Sequence, residues 1–333
     1  MSITIVLQQM IMIFILIGIG LLLYKKEMLS EMTSKQISGI IVNVTNPALL
    51  ICSAFQEGPK VSLAELGMAL GIYLIVYAIL IAVSLLIPHI LRVPNTYHYA
   101  YQMLTIFGNV GFIGIPLASA VLGTESLIFV SIYNLIFNIL IYTLGTSVLQ
   151  KAAARQSAAR HTTIEQKMQN VSAQQTDISD TTVTSPFWKK LINAGTISAA
   201  ATIIFYLCDF TVPVIVPSTL SYMGQATTLL SMLVLGASVA QMAPKDIFSH
   251  PRLYGFTLVR QILVPIGCIL LFRPFIHNTL ILSTMVLMLA VPAGNMPLML
   301  SKQFHAETDT ISQGIILTTL LSLVTIPVVS LFL

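Results

Sequence analysis

Two asparagines and one arginine stand where an otherwise apolar chain could hold something charged. Asn109 lies in Gly108-Asn109-Val110-Gly111-Phe112-Ile113-Gly114-Ile115-Pro116, and Asn295 in Pro292-Ala293-Gly294-Asn295-Met296-Pro297. Pro removes a backbone donor and Gly lowers the cost of unusual dihedrals, so both segments are expected to interrupt a helix. Each interruption exposes backbone donors at one half-helix start and acceptors at another half-helix end. The half-helix N-termini carry partial positive charge, which suits a carboxylate. The expected chemistry is therefore recognition of a small anion, with no cofactor and no metal. The competing reading is a pair of kinked helices whose Asn side chains bond to neighbours across a bundle.

Arg260 is the only ionised side chain well inside an apolar segment. It lies about seven residues past the segment's inner end, or roughly 10 Å at 1.5 Å per residue. A central Arg costs about 2.5 to 3.5 kcal/mol on insertion scales, so it is expected to face the bundle or a watery cavity. It either attracts an anion directly, snorkels to the headgroups, or ties down helix-end carbonyls. Asn43 and Asn46 share one helix face, as do Asn134 and Asn138; both pairs either line a cavity or join helices. The candidate binding set is thus Gly108, Asn109, Pro116, Gly294, Asn295, Pro297, Asn46, Arg260 and Asn138.

The elements that position these residues follow from composition. The 333 residues are 56% hydrophobic and 8% charged, and their mean hydropathy is +0.89. A soluble domain carries roughly 25% charged residues, so the solvent expected here is a lipid bilayer. The net charge of +4 comes from 16 basic and 12 acidic side chains, too scattered for a nucleic-acid surface. Cys52, Cys208 and Cys268 have no C-x-x-C spacing and read as packing residues.

A helix needs about 20 apolar residues to cross a bilayer. Spans are expected near 4–24, 35–55, 64–88, 98–121, 126–149, 189–208, 218–241, 252–272, 278–301 and 309–332. An N-terminus outside places 13 of the 16 basic residues on the inner side, as the positive-inside rule requires. Residues 151–186 read as a polar cytoplasmic linker between a first repeat, 1–150, and a second, 187–333. Five spans are an odd number, so the second unit would enter the membrane from the opposite side. The fold class expected is an all-α membrane protein of ten spans in two inverted five-helix repeats, with the breaks in spans four and nine.

No Asp or Glu lies mid-span, since Glu65 and Glu125 lie at helix starts and Asp209 at an outer end, which leaves a cation without an obvious counter-charge. An enzyme is not expected. Ser238 in Gly236-Ala237-Ser238 has no base nearby, since His89, His98, His161, His250, His277 and His305 lie in loops or near span ends. Neither an H-E-x-x-H motif nor a charged pore ring is present.

With these features in view, the chain resembles the auxin efflux carrier family, whose bacterial members include malate and malonate permeases. The matching stretches are Asn43 to Leu49, Gly108 to Leu117, Leu235-Gly236-Ala237-Ser238, and Pro292 to Pro297. The resemblance implies a scaffold and a transport domain, with helices four and nine crossing at their prolines and helices two and seven helping to form the transport unit. Asn109, Pro116, Asn295 and Pro297 would be crossover residues, and Asn46 belongs to the span-two motif. It further implies a secondary transporter moving a small organic anion across the plasma (inner) membrane by alternating access, and a homodimer through the scaffold. Similarity to bile-acid sodium symporters adds Na+ to H+ as a candidate coupling ion and makes a sodium-coupled anion symporter the alternative. A ligand-binding membrane sensor is the remaining rival.

Overall fold

A computed structural model describes residues 3–55, 61–156, 192–208, 212–241, 250–304, 306 and 308–333. These residues are almost entirely helical. The helices are α1 (Ile3–Lys25), α2 (Glu31–Ser53), α3 (Leu63–Ile90), α4 (His98–Ile106), α5 (Val110–Leu122), α6 (Thr124–Gln156), α7 (Ala194–Cys208), α8 (Ile215–Ala240), α9 (Pro251–Phe272), α10 (Thr279–Ala290), α11 (Met296–Gln303) and α12 (Asp309–Ser330). Seven of them are long and apolar enough to cross a membrane: α1, α2, α3, α6, α8, α9 and α12. The apolar helices α5, α7 and α10 are shorter. Most of the linker expected over 151–186 lies outside the described residues, apart from its first turns at the end of α6.

Two helix starts show why the chain turns where it does. Ser62 Oγ accepts from Glu65 N at 3.2 Å, and Glu65 Oε2 accepts from Ser62 N at 2.9 Å, a capping box that opens α3. Asn278 caps α10 by accepting from Leu280 N at 2.9 Å. Its Nδ2 donates to Glu65 Oε1 at 2.7 Å, so the starts of α3 and α10 are tied to one another.

Four helices contain a single wide turn: Ile41–Thr45 in α2, Val110–Gly114 in α5, Ile141–Gly145 in α6 and Val259–Leu263 in α9. Three of them end one residue before an X-Pro step, at Pro47, Pro116 and Pro265. A proline ring in a helix collides with the carbonyl four residues back and offers it no donor. Adding one residue to the preceding turn moves that carbonyl aside. Asn46 N then bonds to Ile41 O, Ile115 N to Val110 O and Val264 N to Val259 O, each one residue further back than in an α-helix.

The helices sort into two packing groups. α8 lies along α1 and also packs on α2, while α7 packs on α2 and α6. The α1–α8 crossing is backbone against backbone. A Cβ on Gly236 would stand 2.0 Å from Ile17 O, and one on Gly20 would stand 2.3 Å from Leu233 O. The remaining helices α3, α4, α9, α10 and α12 pack mainly on one another, α6 packs between them and α7, and α5 is held between them and α1 and α8. Thus α2 and α8, which the resemblance assigned to a transport unit, pack chiefly with α1 and α7.

Exposure follows the same division. α1 turns Ile11, Ile15, Ile19 and Leu22 outward, and α3 turns out Leu74, Ile75, Leu85 and Leu86. Such helices, apolar on every side, suit a lipid surround. By contrast every residue of α10 from Ile281 to Ala290 is buried. Interrupted backbone at that depth is tolerable only inside protein or beside a cavity.

Candidate functional site: the crossover of two interrupted helices

α4 stops at Ile106 because Phe107 is extended, at φ −107° and ψ 91°. α10 stops at Ala290 because Val291 is extended, at φ −58° and ψ 146°. The two gaps meet. Asn109 N donates to Pro292 O at 2.7 Å, and Gly294 N donates to Phe107 O at 2.9 Å, which makes an isolated antiparallel bridge between Gly108 and Ala293. Glycine is needed for this approach, since a Cβ on Gly294 would stand 2.6 Å from Gly108 O. The resemblance put the crossing at the prolines; the chains instead meet at Gly108 and Ala293. Pro116 follows the wide turn inside α5 that moves the clashing carbonyl aside, and Pro297 sits in the first turn of α11, where a missing donor costs little.

The bridge has a third support with no local signature in the sequence. Ala293 N donates to Thr318 Oγ1 at 3.1 Å, and Thr318 O accepts from Gln261 Nε2 at 3.1 Å. Replacing Thr318 by Val would leave the Ala293 N–H buried without an acceptor, a loss of about 1–3 kcal/mol. Thermal unfolding of Thr318→Val is expected to fall by several degrees, while Thr318→Ser keeps the wild-type value.

Around the bridge, polar side chains are only partly satisfied. Asn109 is 2% exposed; its Oδ1 caps α5 by accepting from Phe112 N at 3.2 Å, and its Nδ2 is buried without a partner. Asn46 Nδ2 donates to Gly111 O at 3.1 Å, which ties α2 to the same half-helix start, and its Oδ1 is unpartnered. Asn295 is half-buried, directly precedes α11 and makes no side-chain capping bond. Asn138 stands apart from this group. Its Nδ2 donates to Asn134 O at 2.8 Å and Asn134 Oδ1 at 3.2 Å, and its amide packs against Gly195 of α7.

Arg260 belongs to the other ends of the broken helices. It sits in the wide turn of α9 and is 1% exposed. Its Nε donates to Thr105 O at 2.6 Å, in the last turn of α4, and its Nη1 donates to Leu289 O, in the last turn of α10. Of the readings open in the sequence, the contact with helix-end carbonyls is the one observed. Nη2 is buried without a partner and would lie 3.4 Å from a Cβ on Gly108. So the guanidinium reaches the bridge from its C-terminal side, and the Asn pair from its N-terminal side.

Further unpartnered buried groups escaped the sequence reading. Thr227 and Ser231 lie one turn apart on α8, which packs against the wide turns of both α2 and α5, and Thr45 Oγ1 is unpartnered in that turn of α2. The Tyr73 hydroxyl is unpartnered, and the Tyr133 ring lies 5.5 Å from that of Tyr73 and 4.8 Å from that of Tyr77. The i, i+4 spacing of Thr227 and Ser231 within an apolar helix is the signal that could have marked them.

The pattern of a family described as a membrane transport protein matches residues 5–330. The chain belongs to that family. It is the auxin efflux carrier family to which the Gly-Asn and Asn-Pro motifs point, and it transports rather than catalyses. No curated protein matches the transporter's sequence. Seven long apolar helices make the transporter a multi-pass membrane protein.

Proposed function

We propose that the protein is a secondary transporter that carries a small organic anion, a mono- or dicarboxylate such as malate, malonate or an auxin-like acid, by alternating access. In this reading α4–α5 and α10–α11 are each one broken crossing. Ten crossings then form two inverted five-helix repeats, with the N-terminus outside and the linker in the cytoplasm. The panel of α1, α2, α7 and α8 is the scaffold and the surface for a homodimer. The remaining helices move against it.

The observation that carries the proposal is the unpartnered Asn109 Nδ2, a buried donor at the N-terminal pole of α5 beside the bridge. A buried amide without an acceptor costs about 1–3 kcal/mol, and a carboxylate oxygen would supply the acceptor. The same pole contributes about half a positive charge, and the pole of α11 after Asn295 as much again. Asn46 bonds to the first turn of α5 and α8 packs on the same turn, so motion of the crossover against these helices would change those contacts.

Uptake of labelled malonate or malate into membrane vesicles tests the site. A hydrogen bond to a charged group is worth about 1.5–3 kcal/mol, so Asn109→Ala is expected to lower uptake on the order of 10-fold or more at unchanged membrane abundance. Asn295→Ala should fall in the same direction. Wild-type uptake in both variants would place the site elsewhere.

A further inference from the structure

Arg260 is a full positive charge held inside the helix bundle with no carboxylate to answer it. The acids of the long apolar helices, Glu31, Glu65, Glu125 and Asp309, all lie in first turns at helix ends, and none lies mid-helix. Guanidinium does not lose its proton in proteins, so the charge stays. What compensates it is backbone. Thr105 O and Leu289 O are end carbonyls of α4 and α10, and each helix C-terminus carries about half a negative charge. Two such poles total about one negative charge, which matches one guanidinium. The match requires both helices to end at the same place, and the Gly108–Ala293 bridge is what brings them there.

Converging helix C-termini and unwound carbonyls are also what broken-helix transporters use to coordinate a monovalent cation. Resting on the transport reading above, we propose that the Arg260 side chain permanently fills the cation position between the C-terminal poles of α4 and α10, so that the crossover is assembled without any bound alkali cation. Arg260 is a positioning residue here. Its planar fork joins two carbonyls that belong to different halves of the chain, and its unpartnered Nη2 faces Gly108, where a second donor can steady the bridge or the anion beyond it.

The role separates from a merely structural one by chemical rescue. Removing the guanidinium leaves two negative poles facing each other around an empty space, which a free cation could enter. Arg260→Ala in detergent is expected to unfold on the order of 5–10 °C below wild type in choline chloride, by the usual cost of breaking a buried charge contact. Low-millimolar guanidinium chloride, far below denaturing concentration, should restore much of that loss in a saturable way, because a ligand of the folded state raises the midpoint. Arg260→Lys keeps the charge without the fork and should fall between the two. The wild-type midpoint should be the same in sodium chloride as in equal choline chloride. A saturable rise of the wild type with sodium would overturn the proposal. So would an Arg260→Ala variant that matches wild type in choline, or one that is unmoved by guanidinium and sodium alike. Should Arg260→Ala not fold, the wild-type comparison and the Arg260→Lys midpoint still decide.

Malonate uptake into proteoliposomes, with sodium or choline outside, keeps the two claims apart. Equal uptake in both salts is expected. Uptake that requires sodium would remove this role from Arg260 and leave the transport reading standing. Absent uptake with the thermal pattern intact would do the reverse.

Discussion

Gly294→Ala is expected to abolish transport and to lower stability by about 3–5 kcal/mol, the combined scale of an overpacked core and two lost backbone bonds. The new methyl would stand 2.6 Å from Gly108 O, 3.0 Å from Gly108 C and 3.3 Å from Asn109 N. All three are backbone atoms in the opposing strand of the bridge, and no rotamer change relieves them. The strand must retreat, and with it go the Asn109–Pro292 and Gly294–Phe107 bonds. Gly267→Ala in α9 is the matched control, because a Cβ there meets nothing within 4 Å. Thermal unfolding of the two variants beside wild type reads the difference: a large drop for Gly294→Ala, little change for Gly267→Ala. Equal midpoints would mean that the bridge does not hold the crossover.

Gly236→Leu is expected to eliminate the folded protein. Gly236 and Gly20 let α8 and α1 cross with their backbones touching, and a Cβ at position 236 would stand 2.0 Å from Ile17 O, 2.7 Å from Leu21 N and 2.9 Å from Gly20 C. In lipid the association of helices depends on close packing, since the tails are as apolar as the side chains. Forcing the pair apart therefore removes most of what joins them. Size-exclusion chromatography of detergent extracts should show loss of the monodisperse peak for Gly236→Leu and its retention for Gly18→Ala, where a Cβ meets open space. A normal peak for Gly236→Leu would show that the panel is held by other contacts.

The parts of this architecture legible in the sequence are those with local causes. Apolar runs of about 20 residues located the helices, and Gly108, Asn109, Gly294 and Pro292 located the two breaks, since each acts on its own backbone. The wide turns were readable in principle from Pro47, Pro116 and Pro265, although Ile141–Gly145 forms one with no proline after it. What distance in sequence hides is partnership. Arg260 meets Thr105, 155 residues away, and nothing local distinguishes that contact from snorkelling or from a substrate. Thr318 looked like any hydroxyl in an apolar helix until Ala293 N was found on it. Asn138 shows the opposite case: its spacing from Asn134 was read correctly, and the pair binds itself rather than the crossover. Pro116 and Pro297, too, were prominent in sequence yet stand beside the crossing, whereas Pro292 joins the bridge through its carbonyl, the one backbone hydrogen-bonding group that proline keeps.

The Asn109 amide and the paired N-terminal poles also explain why Asn46 matters in a way its own segment does not reveal. Its bond to Gly111 O joins α2 to the start of α5. Any movement of the crossover against α2 must break or carry this bond.

Counterflow in proteoliposomes tests the central claim most directly. Vesicles loaded with unlabelled malonate or malate and diluted into a trace of labelled substrate should accumulate label transiently and saturably with the wild type, and Asn109→Ala should lose most of that accumulation. Label that never exceeds equilibrium with the wild type, or an overshoot unchanged by Asn109→Ala, would contradict a carrier whose anion sits at the meeting point of α5 and α11.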